Sequence, residues 1–86
     1  MQFIPGMIVK SDAGRDQQRY YVVVSVEGGF VYIADGRRRK VEQPKRKNPR
    51  HLKATRTVAG PSEFDTNQKL RRVLRDYNEA AAPVAE

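Results

Sequence analysis

Cysteine is absent from this chain and histidine occurs once. Without thiols there is no disulfide framework, no zinc knuckle and no sulfur nucleophile, so a small fold must rest on apolar packing and hydrogen bonds. Tryptophan is absent too, and no window approaches the roughly 20 apolar residues of a membrane span. The opening Met-Gln-Phe-Ile-Pro-Gly has neither a positive n-region nor an apolar run of signal-peptide length, so a cytoplasmic protein without a membrane partner is expected. At 86 residues there is room for one small domain and no second core.

Catalytic inventory is equally thin. His51 stands inside a cationic run, where it suits a phosphate or base-stacking contact better than proton transfer. Asp12 and Asp16 flank Gly14 in a turn-rich stretch, Asp35 belongs to a turn dipeptide, and no group of acids or histidines has metal-ligand spacing. Gly28-Gly29 lacks the lysine and the strand-loop-helix setting of a phosphate loop. The expectation is a protein that is not an enzyme and takes no cofactor and no metal.

What the chain does have is positive charge in one place. From Arg37 to Lys53 there are nine Lys or Arg against one acid, Glu42, a net of +8; the rest of the chain holds eight bases and nine acids. The overall +7 is therefore local, which points to a polyanionic partner. Arg37, Arg38, Arg39, Lys40, Lys45, Arg46, Lys47, Arg50 and Lys53 are the candidate phosphate contacts, with His51 beside them. Unstacked bases need flat partners as well. Phe30 is expected in the core, and Tyr20 or Tyr32 is the candidate for stacking.

Around this segment the patterning is mainly β. Met7-Ile8-Val9 follows the turn signal Pro5-Gly6, and Tyr20 to Val26 is the strongest strand in the chain. Gly28-Gly29 makes a hairpin to Phe30–Ala34, and Asp35-Gly36 is a second hairpin dipeptide that predicts a third meander strand over Arg37 to Glu42, ended by Pro44. The segment Gln43 to Pro49 reads as an exposed loop, and His51 to Val58 as a closing strand. About five short strands joined by tight turns suggest a small bent barrel spanning residues 7–58, with a basic loop at 37–53. Residues 59–64 read as a linker. Leu70, Val73, Leu74 and Tyr77 then form one apolar stripe of a helix over 65–79, capped at Asp65 with Gln68 as its box partner, and docked on the barrel. The polar side of that helix carries Lys69, Arg71, Arg72 and Arg75, which either extend the basic surface or merely solvate the outer face. Residues 80–86 read as a disordered tail.

Three pieces, Gly6-Met-Ile-Val-Lys-Ser-Asp-Ala-Gly14-Arg-Asp16, Tyr21-Val-Val-Val and Val31-Tyr-Ile-Ala-Asp-Gly36, resemble the KOW motif. The version here looks most like small bacterial KOW-domain RNA-binding proteins, relatives of KOW-type large-subunit ribosomal proteins. It covers Gly6 to Gly36 and departs from many such motifs at Gln17-Gln18, where they place Lys and Gly. The resemblance implies an SH3-like β-barrel, residues 1–58, that binds RNA, with ribosomal RNA as one candidate, beside the ribosome or the transcription machinery. It also implies that Lys10, Ser11, Gly14 and Arg15, in the loop after the first strand, touch RNA; Gly14 is expected at positive φ from its place among Ser11, Asp12 and Asp16. The resulting expectation is a non-enzymatic RNA-binding protein associated with translation, a monomer when free. The alternative is a protein-interaction adaptor that recognises an acidic partner.

Overall fold

The computed structural model describes residues 3–12 and 19–81, with side chains through Asn78. Five strands, β1 (Met7–Ser11), β2 (Tyr20–Glu27), β3 (Phe30–Ala34), β4 (Lys45–Lys47) and β5 (Leu52–Val58), form one antiparallel sheet in the order β4-β3-β2-β1-β5. Among the described residues one α-helix, α1 (Asn67–Ala81), follows a 3-10 turn at Pro61–Glu63. Another 3-10 turn, Pro49–His51, joins β4 to β5.

That last connection dictates the shape. β4 and β5 are the two edges of the sheet, and in a flat five-stranded sheet they would lie about 19 Å apart. The chain from Lys47 to Leu52 could span about 18 Å only if fully extended, and three of its residues are instead wound into the 3-10 turn. The sheet is therefore strongly curled. Register shifts between Met7 and Val9 in the β1–β5 ladder and between Val23 and Ser25 in the β2–β3 ladder supply the bends. No β4–β5 ladder closes the sheet among the described residues.

Curling buries the inner face of the sheet, and α1 buries part of the outer one. Val9, Tyr21, Val23, Val31, Ile33 and Leu52 form a core on the inner face, flanked by Phe3 and Met7. On the outer face Ile8, Val22 and Ala34 lie in one row across β1, β2 and β3, and α1 covers that row with Leu70 and Leu74. Val73, Tyr77 and Phe64 pack at its margin. The period-2 alternation of the strands and the helical stripe thus meet as two small cores.

Several local expectations change. The third strand is not at Arg37 to Glu42, where the chain forms a turn and bends, but at Lys45–Lys47. The basic segment 37–53 is accordingly not one loop, because it contains β4, a 3-10 turn and the first residues of β5. The stretch 59–64 is no free linker: Ala59 is buried, its N–H donates to Gly6 O at 2.7 Å, and Phe64 joins the outer core. The helix begins two residues later than Asp65. Thr66 Oγ1 accepts from Lys69 N at 3.2 Å as its cap, while Asp65 pairs with Lys69 Nζ at 3.2 Å. It also runs on to Ala81, so only 82–86 of the proposed tail lies outside the described residues.

Candidate nucleic-acid interface

Asp35 builds the front of the basic surface. It is 3% exposed, and its Oδ1 accepts from Arg37 N and Arg39 N, both at 2.9 Å. Its own N–H and that of Gly36 donate to Arg39 O at 2.9 and 3.0 Å, which closes a tight loop. Gly36 has φ +81°, and a Cβ there would stand 2.3 Å from Asn67 O, so only glycine lets the loop seat on the start of α1. Asn67 holds the next stretch: its Oδ1 accepts from Val41 N at 2.7 Å and its Nδ2 donates to Glu42 Oε1 at 2.9 Å. The hydrogen bond from Asn67 also holds the Glu42 carboxyl below its ordinary pKa. Arg37, Arg38 and Lys40 are thereby presented outward on a fixed backbone, with Arg39 half-buried.

The other sequence-predicted cations are dispersed over three elements. Arg46 is exposed on β4 opposite Tyr32, and its guanidinium lies 4.7 Å from the centre of the Phe30 ring. Phe30 is thus a half-buried outer-face ring rather than a core residue. Lys45 and Lys47 alternate to the other side, opposite the buried Ile33 and Val31, and are half-buried with partners of their own. Arg50 and His51 are exposed in the 3-10 turn, where His51 O accepts from Asp12 N at 3.1 Å. Lys53 is exposed and sits directly across from Lys10. Lys10 in turn lies 5.9 Å over the Tyr20 ring, and Tyr20 packs against Tyr77 at 5.1 Å. Two like charges facing each other across a ladder are unfavourable without an anion to share.

Among the residues expected in the first loop, Ser11 is fully buried and has a partner, so its side chain does not reach the surface. The reason is register: it faces inward opposite Leu52, on the same side as Val9. Gly14 and Arg15, and with them the positive φ expected at Gly14, lie outside the described residues. Among the described residues no group of three or more acids or histidines could hold a metal, and no helix is long and apolar enough to cross a membrane.

The structure adds residues that the linear charge run does not include. Arg71 Nη1 donates to Gly36 O at 2.7 Å, and this brings α1 against the Asp35 loop. Between them is a cleft of about 210 Å³ lined by Arg19, Asp35, Arg37, Arg71, Leu74, Arg75 and Asn78. It continues into an open groove lined by Arg37, Gln68, Arg71, Arg72 and Arg75. The i,i+4 pair Arg71 and Arg75 was the legible part of this cluster; its meeting with Arg37 and Arg19 depends on docking the helix. No family model matches this chain, nor does any curated protein.

Proposed function

We propose that the protein is a non-enzymatic RNA-binding module, a curled β-sheet of the SH3-like barrel type, that grips the phosphate backbone through segment 37–53 and works beside the translation machinery. The observation that carries it is charge. The segment's net +8 is spread over a fixed loop, an edge strand, a turn and the start of β5, with Arg37, Arg38, Lys40, Arg46, Arg50 and Lys53 exposed, and its one acid, Glu42, is engaged by Asn67. Half-buried rings beside the cations, Phe30 under Arg46 and Tyr20 under Lys10, supply flat surfaces for unpaired bases. The barrel-like curl and the Gly6 to Gly36 motif support the likeness to KOW domains.

Binding of fluorescent octauridine tests this. The variant Arg38→Glu/Arg46→Glu/Arg50→Glu changes only exposed side chains, whereas charge reversal at Lys45 and Lys47 would disturb the sheet edge. With three charge-assisted contacts turned repulsive, affinity should fall by more than about 100-fold while the chain still unfolds cooperatively, its melting point lowered only by the lost Arg46–Phe30 contact. Unchanged affinity would overturn the reading and favour an adaptor for an acidic protein.

A further inference from the structure

The cleft between α1 and the Asp35 loop holds an unusual set of groups. Arg19, Arg37, Arg71 and Arg75 surround it, and Asp35 lies at its wall. Among the described residues two buried side-chain polar atoms have no hydrogen-bond partner, Arg19 Nε and Asp35 Oδ2, and both belong to residues that line this one cleft. Asp35 uses Oδ1 for the loop, so Oδ2 is a buried acceptor left over. Buried polar atoms without partners are rare in folded proteins, and two of them at one cleft, one donor and one acceptor, call for a ligand that carries both complements.

An inorganic anion satisfies only half of this. It would suit four guanidiniums but would meet Asp35 Oδ2 with like charge. A ligand that combines an anion with a neutral hydroxyl donor satisfies both. Within one ribonucleotide the 2′-hydroxyl and the 3′-phosphate are on neighbouring carbons, so a small cleft can accept them together, and DNA offers no such pair.

We infer that this cleft is a ribose-phosphate subsite: Arg37, Arg71 and Arg75 take the phosphate, Arg19 Nε donates to it, and Asp35 Oδ2 accepts from the 2′-hydroxyl. The inference rests on the RNA-binding reading and names the part of the interface that distinguishes RNA from DNA. It moves one end of the RNA path from the basic segment onto the helix, where Arg72 continues the groove.

The experiment is an NMR titration of the full chain with uridine 3′-monophosphate, 2′-deoxyuridine 3′-monophosphate and inorganic phosphate, reading the amides of Gly36, Arg71 and Asn78. The ribonucleotide should shift these resonances and bind at least about fivefold tighter than the deoxy compound, with phosphate weakest, as expected when one buried acceptor is satisfied or not. Arg75→Ala, which removes no hydrogen bond among the described residues, should weaken the ribonucleotide about tenfold or more. Asp35→Asn should abolish the ribose preference, provided its amide spectrum retains the native dispersion. If the three probes leave those amides unmoved, or bind with equal affinity, the subsite is overturned even where octauridine still binds through segment 37–53. If octauridine fails to bind while the mononucleotide series behaves as described, the subsite stands and the wider RNA reading fails.

Discussion

At the scale of single residues, the basic surface depends on uncharged and acidic positions as much as on arginines. Gly36 is the sharpest case. Both Gly36 and Gly29 have φ +81°, but a Cβ at Gly29 meets nothing within 4 Å, whereas at Gly36 it would collide with the Asn67 carbonyl. Gly29→Ala should therefore cost about 1 to 2 kcal/mol of left-handed strain, and Gly36→Ala clearly more, about 2 to 4 kcal/mol, because the loop must also lift from α1. Urea denaturation of the two variants measures the difference, and equal losses would refute the docking role. Glu42 gives a pH signature. Its carboxyl pKa is lowered by the Asn67 hydrogen bond, so the contact adds stability above the ordinary carboxylate range and loses it as pH falls through the lowered value. An NMR titration should place the Glu42 midpoint below that range, and Asn67→Ala should return it upward; a midpoint that ignores Asn67 would contradict the assignment.

At the scale of elements, strand and helix types were legible because their periods are unambiguous, and the misplaced third strand has a definite physical cause. The Asp35-Gly36 dipeptide signals a hairpin, yet the amides of Arg37, Arg39 and Val41 are taken by Asp35 Oδ1 twice and by Asn67 Oδ1 once. Those alternate N–H groups are the set a strand would offer to one neighbour, so pairing with β3 waits until Lys45. A long-range side chain such as Asn67, 26 residues away, leaves no local trace in the sequence. The same holds for Asn78, whose Oδ1 accepts from Tyr20 N at 2.9 Å and whose Nδ2 approaches Tyr20 O at 3.4 Å, as a neighbouring strand would. The apolar stripe, by contrast, was readable, and its members differ in burial: Leu70 and Leu74 are buried while Val73 and Tyr77 are half-buried. Leu74→Ala should cost about 2 to 5 kcal/mol and Val73→Ala distinctly less. Thermal unfolding of the pair checks this, and an unshifted Leu74→Ala melt would mean that α1 does not contribute to the core.

At the scale of the whole molecule, a curled sheet brings together what the chain keeps apart. The charge of 37–53 was visible as composition, but its division was not: Lys45 and Lys47 turn toward the inner face, Arg46 toward Phe30, and Arg37 toward the arginines of α1. The folded surface is therefore cationic on both the loop side and the helix side, with the Tyr20 ring beside Lys10 and the Phe30 ring beside Arg46. If RNA phosphates neutralise this surface, binding must release counterions. The direct measurement is the affinity for octauridine across a salt series. The account predicts that log K falls linearly with log salt at a slope near −3.5, as ~5 contacts at the roughly 0.7 each of a single strand require, and that Arg38→Glu/Arg46→Glu/Arg50→Glu flattens the slope as it removes binding. A wild-type affinity that does not change with salt would contradict it.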